Sequence, residues 1–118
     1  MSRVLREAAA RRRTVTYGTL MRKFRLSRGK ALSGMIGTVD KIEYEAGAPG
    51  FAAIIVRKDT GYPGGGYFCD DDLPPRLRRP NARSNDPRLS ATERGFVRKQ
   101  QHRIWAYYAR RRHWRPRK

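Results

Sequence analysis

Asp70, Asp71 and Asp72 form the one run of acidic residues in the chain. Hard cations such as Mg²⁺ take carboxylate ligands, and nucleases assemble two or three of them around the metal. Glu43, Glu45, Asp59 and Lys58 are the residues that would complete a nuclease-like set. Consecutive residues point in different directions, however, and no Asp is followed by Glu-x-Lys. An acidic loop, solvated and paired with nearby arginines, is the plainer reading. The single Cys69 has no His beside it. One thiol argues against a disulfide framework and against a Cys-based zinc site, and it fits a reducing, intracellular setting. His102 and His113 stand eleven apart without a Cys or acidic partner at metal spacing. Gly64, Gly65 and Gly66 do not open a helix carrying Lys-Ser/Thr, so they are not a P-loop. A glycine-rich loop tip can still let backbone approach a phosphate closely. These residues predict no catalytic group, no metal and no cofactor.

The stronger chemical signal is cationic. Over 118 residues the chain carries 28 Lys and Arg against 10 Asp and Glu, a formal net charge of +18. Charge of this size repels itself in a compact monomer, and a polyanion is the natural partner. Residues 1–75 hold 13 basic and 8 acidic side chains, whereas residues 76–118 hold 15 and 2. Of those 15, 13 are Arg. The guanidinium fork matches phosphate bidentately and stacks on bases, which an ammonium group cannot do. Arg98, Arg103, Arg110, Arg111 and Arg112 belong to this stretch, and Arg11-Arg12-Arg13 forms a second cluster near the N-terminus. Trp105, Tyr107, Tyr108 and Trp114 are interleaved with the cations, an arrangement suited to stacking on exposed bases. Trp114, among Arg and Pro, is the first candidate for that role, while Tyr108 reads as core. No stretch approaches the ~20 apolar residues of a membrane span. No apolar segment of signal-peptide type follows the first arginines either. A membrane partner is not expected.

These side chains need a scaffold. Ser2 can cap a helix over 3–12 whose Val4, Leu5, Ala8 and Ala9 share a face, and Arg11-Arg12-Arg13 would close it at the negative end of its dipole. Thr14-Val15-Thr16 reads as a short strand. Gly18 to Phe24 reads as a helix with Leu20, Met21 and Phe24 inward, and a tight turn at Arg25-Leu26-Ser27 follows. Ser27 is a candidate cap for the helix carrying Leu32, Met35, Ile36, Val39 and Ile42 at spacings of three and four, and Gly47 and Pro49 end it. Phe51 to Val56 is a buried strand, and with Tyr67-Phe68 as return strand it makes a hairpin, or wing. Pro74, Pro75, Pro80 and Pro87 with Asn81, Ser84 and Asn85 mark an extended linker over 74–89. Ser90-Ala91-Thr92-Glu93 is a capping-box pattern. It opens a long helix to about Arg112 with Val97, Gln101, Ile104 and Tyr108 in one stripe and Phe96, Trp105 and Tyr107 beside it.

The predicted fold class is α+β: a winged helix-turn-helix-like core over 1–73, the linker over 74–89, and a basic helix and tail over 90–118. In that geometry the helix after the tight turn meets nucleic acid with its N-terminal residues, Ser27, Arg28, Gly29, Lys30 and Ser33. Its backbone N–H groups and dipole favour phosphate there. Val15-Thr16-Tyr17-Gly18-Thr19-Leu20 followed by Lys30-Ala31-Leu32-Ser33-Gly34-Met35-Ile36 resembles the DNA-binding half of alkylguanine-DNA alkyltransferases and alkyltransferase-like proteins, over roughly residues 14–61. A strand with a Val-Val pair follows in that family, comparable with Ile55-Val56. The resemblance implies that Tyr17 contacts a phosphate near a rotated nucleotide. It also implies that Lys30, with Arg28 nearby, fills the gap that nucleotide leaves. Two departures stand out. Lys30 occupies the position of the family's Arg, and Phe51-Ala52-Ala53-Ile54 occupies that of its Pro-Cys-His-Arg nucleophile motif. Alkyl transfer needs a thiolate activated by a neighbouring base, so that activity is not expected.

The sequence thus predicts a non-catalytic, intracellular nucleic-acid-binding protein that favours duplex DNA, held through phosphates with weak sequence specificity. The residues expected to carry it are Arg11, Arg12, Arg13, Tyr17, Ser27, Arg28, Lys30, Arg98, Arg103, Arg110, Arg111, Arg112 and Trp114. The alternatives are an RNA-binding or ribonucleoprotein component, a small Mg²⁺-dependent nuclease, and a virion or nucleoid packaging protein within a larger nucleoprotein assembly.

Overall fold

The computed structural model describes residues 1–27, 29–69, 73–79, 82 and 86–111. Four α-helices carry it: α1 (Ser2–Ala10), α2 (Tyr17–Lys23), α3 (Gly29–Glu45) and α4 (Ala91–Arg111). Two strands of two residues each, β1 (Val15–Thr16) and β2 (Ile55–Val56), pair in parallel with Val15 opposite Ile55 and Thr16 opposite Val56. Short 3-10 turns at Ala52–Ile54, Gly65–Cys69 and Pro75–Leu77 complete the set. The chain is α+β and mostly helical.

The core forms where the apolar faces converge. Leu5 and Ala9 of α1 meet Val97, Ile104 and Tyr108 of α4, and Phe51, Ile54, Ile55 and Phe68 fill the space below. Phe51 stacks on Tyr108 with ring centroids 4.9 Å apart. Gln101 is fully buried within α4's apolar stripe and donates through Nε2 to the Ala53 carbonyl at 3.0 Å. That bond offsets the cost of burying an amide.

Helix ends follow local chemistry. The α4 capping box forms as expected: Glu93 N–H donates to Ser90 Oγ at 3.1 Å, and Ser90 N–H to Glu93 Oε1 at 2.8 Å. At the end of α3, Gly47 takes φ +81° while Ala48 N–H reaches the Glu43 carbonyl and Gly47 N–H the Tyr44 carbonyl, which is a Schellman closure. The same closure ends α1 and α2, but there the left-handed residue is Arg12 (φ 57°) and Arg25 (φ 55°). Ser2 does not cap α1; it lies inside the helix, and Met1 takes the cap position without a side-chain bond.

Three expectations are corrected. The wing hairpin does not form. Ile55-Val56 pairs with β1, and Tyr67-Phe68 lies in a 3-10 turn with Phe68 buried. A parallel pair needs a crossover, which α2 and α3 supply. The segment after Pro74 is not a free spacer in its described part. Leu77 is buried, Arg79 N–H donates to the Phe68 carbonyl at 2.7 Å, and the Asp86 carbonyl accepts from Gly65 N–H at 2.9 Å. Arg79 also pairs with Glu93 at 3.0 Å. Finally, α3 keeps Leu32 and Val39 of its apolar stripe in the core, with Ile36 packed against it, but its last part turns a different face inward. Ile42 is 52% exposed and Tyr44 61%, whereas Asp40 and Glu43 point inward. Each buried carboxylate has partners that make this possible.

Candidate nucleic-acid interface

The parallel strand pair sets the site. Tyr17 follows Thr16 and Arg57 follows Val56, so the register delivers both residues to the same edge. Thr16 caps α2 by accepting from Thr19 N–H at 3.2 Å, which fixes the direction in which Tyr17 leaves the strand. From that edge a groove of about 1580 Å³ runs along α3 and the 47–53 loop toward α4. Lys30, Ser33 and Lys41 of α3 line it, as do Arg57, Arg103 and the aromatic rings of Tyr17, Tyr44, Tyr67 and Phe96. This is larger than the pockets of about 300–1,000 Å³ that small ligands occupy, and it is partly open to solvent. Its shape suits a polymer.

Tyr17 is half-buried, and its hydroxyl oxygen accepts from Gly64 N–H at 3.2 Å. Burial raises its pKa, against the lowering effects of the Gly64 bond and of Arg57. The phenol therefore keeps its proton, which is the form that can donate to a phosphate oxygen. On the groove wall Asp40 Oδ1 accepts from Phe51 N–H at 2.6 Å. Burial raises the Asp40 pKa, the backbone N–H groups of Phe51 and Ala52 oppose that rise, and Glu43 adds to it. Gly50 lies against this carboxyl: a Cβ there would stand 2.6 Å from Asp40 Cγ. Asp40 thus shapes the loop beneath the groove. Deeper, Glu43 Oε1 accepts from Arg6 Nε at 2.8 Å beside Tyr108, whose hydroxyl donates to the Pro49 carbonyl at 2.9 Å. Burial, followed by the Glu43 charge, raises the Tyr108 pKa.

The expected binding residues divide over the surface. Tyr17, Lys30 and Arg103 come together in the groove. Ser27 is exposed at the approach to α3, which begins at Gly29. Arg11, Arg12 and Arg13 are exposed at the end of α1, apart from the groove lining, and the Arg13 carbonyl accepts from Trp105 Nε1 at 3.0 Å. Arg98 lies over the Tyr62 ring at 5.1 Å, and Arg111 over Tyr107 at 3.5 Å. Arg110 is exposed in the last turn of α4. Arg28, Arg112, His113 and Trp114 lie outside the described residues, as does the Asp70–Asp72 run.

Among the described residues the four ion pairs engage Arg6, Arg57, Arg79 and Arg88. None of the expected binding residues is spent in them. Of the acidic residues first grouped with the Asp run, Glu43 and Asp59 each face an arginine, Arg6 and Arg57. No group of three His, Cys, Asp or Glu able to hold a metal occurs among the described residues.

Lys41, Arg57 and Asp40 were not anticipated from the sequence as groove residues. The one available signal was Asp40 itself, a carboxylate at a core-facing helical spacing one residue after Val39. Comparison with family models, curated protein sequences and solved structures returns no match.

Proposed function

We propose that this chain is a non-catalytic nucleic-acid-binding protein that holds duplex DNA through its backbone phosphates. One observation carries the reading: Lys30, Lys41 and Arg103 line a partly open groove together with the protonated Tyr17 hydroxyl, and none of the three cations is consumed by an ion pair among the described residues. The unit of α2, turn and α3 acts as a helix-turn-helix, with the start of α3 leading toward the sugar-phosphate chain. Few of the cations can reach base edges at once, so affinity is mainly electrostatic and only weakly dependent on sequence. A DNA partner and a reduced Cys69 are both consistent with an intracellular, nucleoid-associated protein. No helix of the described residues is long and apolar enough to cross a membrane.

A second reading has its own support. Tyr44, Tyr67 and Phe96 line the same groove, and aromatic rings in a cationic channel stack unpaired bases for about 1–3 kcal/mol each. That arrangement favours RNA or single strands. Competition of duplex DNA, single-stranded DNA and structured RNA for the protein at two salt concentrations separates the two. Preference for matched duplex supports the first reading; a preference for unpaired strands of at least about tenfold replaces it with the second. Equal, salt-insensitive weakness for all three would refute both.

A further inference from the structure

A second group of cations gathers on the flank of α4 away from the groove. Trp105 is two residues on from Arg103, so at about 100° per residue the two side chains leave the helix about 160° apart. Arg103 lines the groove. The Trp105 indole instead donates to the Arg13 carbonyl at 3.0 Å and ties the Arg11–Arg13 turn to its own flank. Arg98, about 140° around the helix from Arg103, lies over Tyr62. The three arginines of the turn are exposed and belong to none of the four ion pairs.

Arg12 sharpens the case. It closes α1 at φ 57°, a conformation glycine adopts without strain and an L side chain only at a cost. The closure, in which Arg12 N–H donates to the Ala9 carbonyl and Arg13 N–H to the Ala8 carbonyl, presents the Arg12 guanidinium to solvent.

A straight duplex seated in the groove meets the Arg103 side of α4 and leaves the opposite flank of that helix free. The persistence length of DNA is about 500 Å, whereas the molecule measures 44 × 31 × 26 Å. Turning around α4 would demand a bend on the scale of the protein itself. We infer that the Arg11–Arg13 turn, with Arg98 and Trp105, is a second phosphate-binding face, so that one copy of the chain bridges two duplex segments. This rests on the nucleic-acid reading above and adds valency to it.

The test is a two-duplex capture. A short biotinylated duplex on beads, a fluorescent duplex of unrelated sequence, and the full chain are mixed, and binding of one duplex alone is followed by anisotropy. The informative variant is Arg11→Ala/Arg12→Gly/Arg13→Ala, because glycine at 12 relieves strain and a loss cannot be blamed on unfolding. Its melting temperature should equal or exceed that of the wild type. The wild type should capture the second duplex. The variant should capture at least about tenfold less while its affinity for a single duplex falls less than about threefold. Wild-type binding of one duplex without capture overturns the bridging inference and leaves the nucleic-acid reading intact. Capture retained by the variant also overturns it, since copies joined elsewhere would then be responsible. Equal losses of capture and of single-duplex affinity overturn it too, because they indicate one continuous face. Absence of any duplex binding by the wild type removes the underlying reading instead.

Discussion

Raising salt is the perturbation that most directly interrogates the groove. Four of its lining residues are cationic: Lys30, Lys41, Arg57 and Arg103. Arg57 is held by Asp59, with Nη2 and Oδ2 2.8 Å apart, which leaves three cations outside the ion pairs of the described residues. If each neutralises one phosphate, log K falls against log salt with a slope of about −0.9 per contact, or about −2.7 in all. Between about 50 and 200 mM salt this is a loss of roughly 40-fold in affinity. If Arg110 and Arg111 also reach the backbone, five contacts give a slope near −4.5 and a loss of roughly 500-fold. The assay is fluorescence anisotropy of a labelled duplex titrated with protein across that salt range. Lys30→Ala and Arg103→Ala should each make the slope shallower by about 0.9 and weaken binding equally on unrelated sequences. A fall of less than about fivefold across the range, or slopes unchanged in both variants, would refute the placement of phosphate in the groove.

Asp40→Ala strands the Phe51 N–H in the interior and should cost about 1–3 kcal/mol in urea denaturation. Gly50→Ala forces a methyl onto the same carboxyl and should cost a similar amount. The double variant should fall short of the sum by about 1 kcal/mol, and strict additivity would show that the two sites do not touch. Arg25→Gly relieves the left-handed residue that closes α2 and should stabilise by about 1 kcal/mol; a destabilised variant would contradict that backbone geometry. The raised Asp40 pKa predicts a pH effect of definite sign. The folded state holds this proton to higher pH than the unfolded chain does, so Asp40's contribution is full below its ordinary value of 3.8 and declines as pH rises through the window above it. Asp40→Asn should therefore show a flatter stability profile than the wild type above pH 4, measured by chemical denaturation at matched pH; parallel profiles would contradict it. Asp59 and Asp86 act oppositely, their lowered pKa values favouring the fold above the ordinary carboxylate range, and they are common to both proteins.

Local signals in the sequence carry most of the helical scaffold. The Ser90–Glu93 box, the Val97–Gln101–Ile104–Tyr108 stripe and the Gly47 stop all act within a turn or two of helix, and each appears where its chemistry puts it. What stayed hidden depends on partners far along the chain. The inward turn of Asp40 and Glu43 needs Phe51 N–H and Arg6, which lie 11 and 37 residues away. Without those partners an apolar periodicity that includes Ile42 looks like the buried face. The left-handed Arg12 and Arg25 were invisible for a different reason: glycine or asparagine marks such closures, and arginine gives no warning. The wing was misread because Gly64–Gly66 resembles a hairpin tip. In the fold, Gly64 and Gly65 instead spend their N–H groups on Tyr17 and Asp86.

The smallest element in the structure has the largest consequence for the site. Two residues per strand contribute little burial of their own, and a pair that short would not persist in isolation. Here β2 is wholly buried and β1 lies against it, so the core holds the ladder in register. A one-residue slip would turn the alternating faces over and carry Tyr17 away from Gly64 and Arg57. The order of causes therefore runs from the buried Ile55-Val56 pair, through a parallel register of two residues, to a phenol and a guanidinium at one edge of a cationic groove. Charge composition announces that a polyanion is wanted. Where it can lie is decided by packing around two β-branched aliphatic residues that carry no charge.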